Sequence, residues 1–258
     1  MMHADLELAR RLESAEAAMA RACIERRPDT AILETAGGLA LFAGAQSPLT
    51  HAIGVGLEGP VALAEIDRLE SFFRRRGATV SIDLCPLADP GLLEQLGARG
   101  YRPAEFNNVL IRRLADTESQ PAWHARRILP EETELWCRTV GLGFFEQSEL
   151  SEEEMEIGRA VCSIPAAHCY LAFTEEGEAC AGGAMMTRHG LATLFADSTA
   201  ARYRRRGFHR ELIAVRLKEA CAQGCDLAVA SVSPGSASQR NYERAGFQVA
   251  YTKVLLVA

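Results

Sequence analysis

The spacing of apolar and polar residues divides the chain into short segments with helix or strand periods. In the first half, a helix rich in Ala, Leu, Glu and Arg precedes two short apolar strands with a Gly-Gly turn between them. A glycine-rich run then leads into a second helix that ends at Gly77, a residue suited to a left-handed C-terminal cap. The predicted elements are helix 4–26, strands 31–34 and 39–43, helix 63–76, strand 79–84, helix 89–100 and strand 101–114.

The second half predicts a strand, two helices, an antiparallel meander and a final helix–strand–helix–strand run. Pro130 and the acids after it favour a helix through Val140, and Ser151 with Glu154 forms a capping box for the next helix. The meander has three apolar runs separated by the turns "TEEG" and "RHG", and a Gly-Gly pair in its middle strand indicates a bend or bulge. The later elements are strands 124–129, 168–173, 178–187 and 191–198, a helix to 222, strand 226–232, helix 234–245 and strand 247–257.

The two halves end alike. "GARGYRPAEFNNVLI" (97–111) and "ERAGFQVAYTKVLL" (243–256) both predict a helix, a glycine, an aromatic residue and a strand. We interpret this order as a tandem repeat of one α/β unit, with a mixed sheet in each copy; coincidence of two common α/β endings is the alternative. The predicted domains are 1–115 and 122–258, joined by the polar segment 115–121.

Composition restricts the class of protein and its partners. With 258 residues, 48% of them hydrophobic, the chain can form one large domain or two small ones. A formal net charge of −6 argues against polyanion binding over the whole surface. Eight cysteines without a Cys-x-x-Cys spacing favour reduced thiols over disulfides or zinc. Because neither a signal peptide nor an apolar span of about 20 residues is expected, we predict a cytoplasmic protein with no membrane partner.

One stretch concentrates positive charge: "RYRRRGFHREL" (202–212), directly after the meander. A helix is predicted to begin at Gly207, and the first amides of a helix have no partner within it, so they attract an anion such as phosphate. Glycine allows close approach of the backbone, and arginine adds charge-assisted contacts. A solvated helix start and a nucleic-acid patch are the alternatives; the negative net charge counts against the second.

These residues resemble the GNAT superfamily of acyl-CoA N-acyltransferases. The family's phosphate loop has the pattern Gln/Arg-x-x-Gly-x-Gly/Ala, which "RRRGFH" (204–209) matches at Arg204 and Gly207 and departs from at His209. "NYERAGF" (241–247) is similar to the family's Tyr-Glu-x-x-Gly-Phe signature before the last strand, and the element order over about 124–258 follows the family. The first half is similar only in its ending and has no such loop at its helix start.

The resemblance implies a GNAT fold in tandem form. Residues 122–258 would bind acetyl-CoA, and a degenerate copy in 1–115 would serve as a structural or substrate-shaping domain. In the family, the strand before the phosphate loop splays from its neighbour and pairs with the pantetheine arm of the coenzyme. The coenzyme-binding residues implied in this way are Phe195, Ala196, Asp197, Ser198, Arg204, Arg205, Arg206, Gly207, Phe208, His209 and Asn241, and no metal is implied.

The implied reaction is direct transfer of an acetyl group from acetyl-CoA to a primary amine in a ternary complex. Tyr242 stands where many GNAT enzymes have the tyrosine that acts as general acid toward the departing thiolate; simple packing is its alternative role. An alkyl ammonium with a pKa of about 10 also needs a base. The first candidate bases are Asp197 and Glu146, and Glu149 and His189 are further candidates. Each of the four can equally be an ordinary surface residue.

The alternative from another class is a non-catalytic acyl-CoA-binding or regulatory protein. On that reading, His209 in the phosphate loop and the degenerate first half are signs of lost activity. Acceptor-binding residues lie in variable loops, so a small metabolite, an aminoglycoside, a peptide and a protein lysine all stay open as acceptors. The acyl chain length and the oligomeric state are open as well, and no nucleic-acid partner is expected.

Overall fold

The computed structural model describes residues 4–25, 27–114, 124–147 and 149–258. The segment 115–121, which the sequence suggests as a linker, lies outside the described residues. The chain forms two compact units. Unit 1 comprises Met1–Val109, Val232–Pro234 and Val249–Ala258, and unit 2 comprises Leu110–Ser231 and Gly235–Gln248. The final strand of the chain therefore belongs to unit 1.

The described residues form helices and strands close to the predicted ones. The helices are α1 (Leu6–Ile24), α2 (Leu63–Arg74), α3 (Pro90–Ala98), α4 (Thr133–Phe145), α5 (Glu152–Cys162), α6 (Phe208–Ala222) and α7 (Ala237–Arg244). The strands are β1 (Ala31–Thr35), β2 (Gly38–Phe42), β3 (Ala52–Ile53), β4 (Ser81–Leu84), β5 (Arg102–Arg113), β6 (Ala125–Arg127), β7 (Ala167–Phe173), β8 (Ala179–Arg188), β9 (Leu191–Thr199), β10 (Leu227–Val232) and β11 (Gln248–Val257). Within the described ranges, no helix has both the length and the apolar character needed to cross a bilayer.

Unit 1 is a mixed sheet with the strand order β1-β2-β3-β4-β11. β1, β2 and β3 are antiparallel neighbours, β3 and β4 are parallel, and β11 is antiparallel to β4. At the start of α1 the Asp5 side chain accepts a hydrogen bond of 2.8 Å from the Leu8 amide, the arrangement expected of a helix N-cap. α1 packs on β2 and β3, and α2 packs on β1 and β2.

Unit 2 contains the strand order β10-β9-β8-β7-β6. The predicted meander is present as antiparallel β7, β8 and β9, and β9 is parallel to β10. The predicted capping box at Ser151 starts α5. Trp136 on α4 is fully buried and donates its indole hydrogen to the carbonyl oxygens of Tyr170 (3.1 Å) and Gly183 (3.2 Å). These bonds fix α4 on the face of β7 and β8.

The two units repeat one arrangement of strands. In unit 1 the chain runs β1-β2-β3-α2-β4, and in unit 2 it runs β7-β8-β9-α6-β10. In both runs the first three strands are antiparallel neighbours, and the strand after the helix is parallel to the strand before it. The repeat predicted from the two similar endings is therefore present.

Two elements differ from the prediction. α4 continues past Val140 to Phe145, although glycines at 141 and 143 favour an earlier end. A Cβ at Gly143 would overlap the Ser198 hydroxyl, so this glycine is needed for close packing of α4 on β9 and does not break the helix. β3 lies in a stretch for which the sequence predicts no helix or strand, and its two residues are too few for a period-2 pattern to be visible.

Candidate functional site

A bulge in β9 shapes the centre of unit 2. Gly182 pairs with Ser198 and Ala184 pairs with Phe195, so two residues of β9 lie opposite the single residue Gly183 of β8. One of the two, Ala196, has a left-handed backbone with φ of 54°. A Cβ at Gly183 would overlap the Asp197 carboxylate, which explains why glycine stands there. The bulge directs Asp197 into the space above Gly183.

A buried arginine meets Asp197 in that space. Arg216 of α6 has no exposed side-chain surface, and its Nη2 lies 2.5 Å from Oδ1 of Asp197. Its other nitrogens donate to the carbonyl oxygens of Leu212 and Ala184, both at 2.9 Å. Burial by itself would raise the pKa of Asp197, but the charge of the buried Arg216 beside it lowers this pKa to about 2. Asp197 is therefore a carboxylate at neutral pH.

Tyr242 of α7 reaches the same carboxylate. Its side chain is 1% exposed, and its hydroxyl donates a hydrogen bond to Oδ2 of Asp197. Burial and the neighbouring charge of Asp197 raise the pKa of Tyr242 well above its ordinary value of 10. The phenol is therefore protonated over the whole physiological range of pH, and its hydrogen points to Asp197.

His209 and Asn241 complete this cluster. The His209 Nε2 atom lies 3.3 Å from Oδ2 of Asp197, and the imidazole meets the Tyr242 ring edge to face at 5.5 Å. The Asn241 amide nitrogen lies 2.9 Å from Nδ1 of His209, and an amide donor at Nδ1 assigns the ring hydrogen to Nε2, which faces Asp197. The five side chains of the cluster come from β9, α6 and α7.

The N-terminus of α6 is open to an anion. Gly207 is its N-cap with φ of 96°, Arg205 is left-handed with φ of 64°, and no side chain caps the helix. The first bonds of the helix run from the amides of Arg210 and Glu211 to the Gly207 carbonyl. The amides of residues 207–209 are those that a helix leaves without internal partners.

The three arginines before Gly207 have different contacts. Arg204 binds the carbonyl oxygens of Thr199 (3.2 Å) and Gly143 (3.1 Å), so its side chain anchors the loop to the strand and helix behind it. Arg206 lies 5.6 Å from the centre of the Phe208 ring. Arg205 is exposed and forms no ion pair within the part of the chain that the structure describes, so its guanidinium is available to a ligand.

β9 and β10 pair over only part of their length. The paired residues are Leu191–Leu227, Ala192–Ala228 and Thr193–Val229, yet β9 continues to Thr199 and β10 to Val232. Beyond these three pairs, residues 195–198 of β9 are not paired with β10. The sequence resemblance implies a strand separation of this kind before the loop at residues 204–207.

Comparisons with known proteins bear on the fold. No known family profile matches the sequence, and no curated protein matches it. Solved structures do: a GCN5-related N-acetyltransferase from Kribbella flavida aligns with a TM-score of 0.72 at 19% identity, over 97% of this chain and 95% of that one. The tandem GNAT protein from the clavulanic acid biosynthesis pathway aligns with a TM-score of 0.64 at 14% identity, over 98% and 93%. A GCN5-related N-acetyltransferase from Sphaerobacter thermophilus gives 0.62 at 17% identity, over 89% and 75%.

The chain has a tandem GNAT fold. The fold predicted from the two motifs is thus confirmed, although identities below 20% establish the fold alone. Within this GNAT fold, the residues expected to bind coenzyme lie together around the open end of α6 and the splayed edge of β9. Asn241 is an exception, because its side chain binds His209 and faces into the cluster.

The other candidate bases occupy different parts of the GNAT fold. Glu146 caps the C-terminus of α4 in a left-handed conformation, and its carboxylate, 67% exposed, lies 2.8 Å from Nη1 of Arg204. Glu149 is exposed between α4 and α5. His189 lies in the β8–β9 turn, at the opposite end of β9 from Asp197 and about 20 Å from it at the rise of a strand. His189 is therefore outside this site.

Sequence reasoning missed two residues of the site. Arg216 interrupts the apolar face of α6, and a charged residue at a core-facing position was the available signal. Gly143 supplies the carbonyl that holds Arg204, and its glycine suggested only a helix end. No group of three or more His, Cys, Asp or Glu side chains in the described residues is arranged to hold a metal ion.

Proposed function

We propose that the protein transfers an acyl group, most simply acetyl, from its coenzyme A thioester to a primary amine. One observation carries this proposal: in unit 2 the open N-terminus of α6 lies with the unpaired edge of β9, beside the Tyr242–Asp197 pair. The helix end can hold the diphosphate of a ligand, and the strand edge can hold the pantetheine arm of the same ligand. The GNAT fold agrees with this function, and these residues support it.

The diphosphate binds the amides of residues 207–209 and the side chain of Arg205. Free amides and the helix dipole favour negative charge at this position, and a guanidinium adds charge-assisted hydrogen bonds. His209, where the family pattern has Gly or Ala, does not obstruct the loop, because its imidazole turns inward to Asp197 and leaves its own amide at the helix end.

The pantetheine arm adds to the splayed edge of β9. Its amides can pair with backbone groups of residues 195–198, as an added strand would. A backbone N–H at this edge would also donate to the oxyanion of the tetrahedral intermediate, a contribution of about 3–4 kcal/mol where one such donor has been removed. Holding both substrates in line contributes further by effective molarity.

Tyr242 stabilises the departing thiolate. Because its pKa is far above the value of about 8.5 typical of a thiol, complete transfer of its proton to the sulfur is uphill. The phenol therefore serves as a hydrogen-bond donor that turns from Asp197 to the sulfur as negative charge develops there. Asp197, held by Arg216, keeps the hydroxyl oriented until that moment.

Asp197 is poorly suited to be the base. A carboxylate with a pKa of about 2 has little affinity for the proton of an ammonium with a pKa of about 10. We assign it the positioning of Tyr242 and His209. Glu146 is the better candidate, because its carboxylate is exposed and lies beside the Arg204 side chain that contacts the end of β9.

Binding of acetyl-CoA by paired glycine variants tests the site. Gly207→Asp places a carboxylate and a Cβ at the open end of α6, and we expect affinity to fall at least about 100-fold, because several charge-assisted hydrogen bonds are lost. Gly224→Asp is the matched control: this glycine follows α6, is also left-handed with φ of 76°, and likewise has no atom within 4 Å of an added Cβ. Calorimetry in which both variants bind like the parent protein contradicts the diphosphate assignment.

Turnover separates the enzyme from a binding protein. Release of free thiol from acetyl-CoA, measured over a panel of small amines, aminoglycosides and lysine peptides, should be amine-dependent for at least one class. Tight binding of acetyl-CoA without thiol release over the whole panel would instead favour a non-catalytic acyl-CoA-binding protein.

A further inference from the structure

Unit 1 contains a groove that the proposed acyl transfer does not use. It has a volume of about 400 Å³ and lies between β1 and α2. Its apolar lining includes Leu33 of β1 and Phe72 of α2. Its charged lining is Arg68, Arg75, Arg76 and one acid, Asp67, whose carboxylate lies 2.7 Å from Nη1 of Arg99. Arginine and apolar surface in one groove beside a strand suit an amphipathic, negatively charged chain.

The repeat indicates what kind of chain fits there. In unit 2, β7 corresponds to β1 and α6 corresponds to α2, and β6 pairs antiparallel with the outer edge of β7 and packs on α6. In unit 1, β1 ends the strand order, and among the described residues its only strand neighbour is β2. The groove of unit 1 thus lies where unit 2 has a strand.

The outer edge of β1 offers backbone groups for pairing. The Leu41 amide of β2 donates to His51, toward β3, so by strand alternation Ala40 directs its N–H and C=O toward β1. Ala40 pairs with Leu33, and the neighbouring residues Ile32 and Glu34 consequently direct their N–H and C=O groups outward. Two outward residues suffice to register a short added strand.

The charged contacts near this place differ between the two units. In unit 2, two glutamates of α6 face basic residues at the start and end of β6: Glu219 lies 3.7 Å from Arg127, and Glu211 lies 3.6 Å from His124. Counted back from Gly224 and Gly77, Glu219 corresponds to the apolar Phe72, and the groove beside Phe72 is lined by arginines. A strand that complements these arginines carries acidic side chains.

The arginine charges of the groove are not neutralised within unit 1. Arg75 is exposed and has no ion pair in the described part of the chain, and Arg68 has only a 3.8 Å contact with Glu65. The Glu65 carboxylate itself accepts hydrogen bonds from the Thr35 hydroxyl and the Ala36 amide. Arg76 is held over the Phe72 ring at 4.2 Å, so it can serve as a fixed wall of the groove.

We propose that this groove binds an extended acidic peptide of a partner protein as an added strand on β1. The peptide backbone pairs with Ile32 and Glu34, its apolar side chains pack on Leu33 and Phe72, and its carboxylates meet Arg68 and Arg75. The added strand occupies in unit 1 the place that β6 has in unit 2.

Fluorescence anisotropy of the full chain with a labelled peptide in which Glu and Val alternate tests the charge. Replacing both Arg68→Gln and Arg75→Gln should weaken binding about tenfold, since each exposed charge pair contributes up to about 1 kcal/mol. Arg74→Gln is the matched control, because Arg74 pairs with Glu70 and does not line the groove. Failure of the Glu-Val peptide to bind, or equal affinity of a Lys-Val peptide, overturns the proposal.

The backbone pairing has its own test. Glu34→Pro removes an outward N–H from an edge strand, where proline is tolerated, and should abolish binding, whereas Glu34→Ala should not. Hydrogen exchange at Ile32 and Glu34 should slow when the peptide binds. If a peptide N-methylated at alternate residues bound as tightly as the unmodified peptide, backbone pairing would not contribute to binding. The groove would then be an anion site, and the proposal of an added strand would be overturned. A dimer of this chain that Arg68→Gln and Arg75→Gln dissociate would make a second copy the occupant, which also overturns the proposal.

Discussion

Unit 1 and unit 2 share an order of strands and differ in the length of one of them. β3 has two residues, and both pair with β4; β9 has nine, and only the first three pair with β10. The unpaired remainder of β9 is the edge along which we propose that the coenzyme lies, and β3 has no remainder of that kind. One topology thus produces a coenzyme groove or none, depending on how far a single strand extends past its partner.

The units also bury their charges in different places. In unit 2, Arg216 of α6 pairs with Asp197 of β9; counted back from the glycine after each helix, the corresponding residue of α2 is the buried Leu69. In unit 1 the buried cation is Lys253 of β11, with Glu16 at 2.7 Å and Asp83 at 2.6 Å. Among the described residues, the buried charge pair of unit 2 lies beside the part of β9 that is not paired with β10, and for this reason we propose the coenzyme site in unit 2.

Replacing Arg216 of unit 2 by the leucine that unit 1 has at the corresponding position should have the largest effect on stability. Arg216→Leu copies Leu69 and leaves Asp197 buried without its cation, which should lower the free energy of unfolding by about 3–5 kcal/mol. Urea denaturation measures this change, and exposed Arg206→Leu is the control. The pair Arg216→Leu with Asp197→Asn should recover part of the loss. Unchanged stability of the single variant would show that the ion pair does not hold unit 2 together.

Glu13 of unit 1 and Asp197 of unit 2 should make the free energy of unfolding depend on pH in opposite directions. Burial raises the pKa of Glu13, which faces Lys253 and Tyr251, to about 7. As pH rises, the unfolded chain loses this proton near pH 4.5, whereas the folded chain keeps it until about pH 7. The free energy of unfolding should therefore fall between about pH 4.5 and 7, by at most about 3 kcal/mol. Asp197, with its lowered pKa, instead contributes stability above about pH 4 that is lost as pH falls toward about 2.

Glu13→Gln checks the first of these two dependences. Chemical denaturation at several pH values should show the decrease from pH 4.5 to 7 in the parent protein and a flat profile in the variant. The acid-side decrease below pH 4 should be the same in both, because Asp197 is untouched. A parent profile that rises with pH over the first window contradicts the assignment of a protonated Glu13.

Tyr242→Phe should have a smaller effect, confined to catalysis. The ring keeps its edge-to-face contact with Phe247 at 4.9 Å, while the hydroxyl that faces Asp197 is lost. We expect kcat to fall about 10- to 100-fold and the Kd for acetyl-CoA to stay within about twofold. Steady-state kinetics beside calorimetry measures both quantities. Equal loss of affinity and turnover would return Tyr242 to a packing role.

Motif and period together predicted most of the fold. The phosphate-loop match at Arg204 and Gly207 and the "NYERAGF" signature each lie within a few residues, so they were visible before any packing was known. The role of His209 was not: its departure from the family pattern suggested a damaged loop, and the structure turns its side chain into the Asp197 cluster. A motif records which residues are present and leaves the direction of each side chain undetermined.

The sequence by itself determined where most helices and strands lie and that one α/β unit occurs twice, and it suggested the loop that we propose binds phosphate, because caps, turns and apolar periods act over a few neighbouring residues. Only the tertiary structure decided that Asp197, Arg216 and Tyr242 meet, that α4 continues past its glycines, and that the edge of β1 is open. These outcomes depend on a bulge in β9 and on pairings between segments far apart in the chain, and local preferences do not specify such contacts.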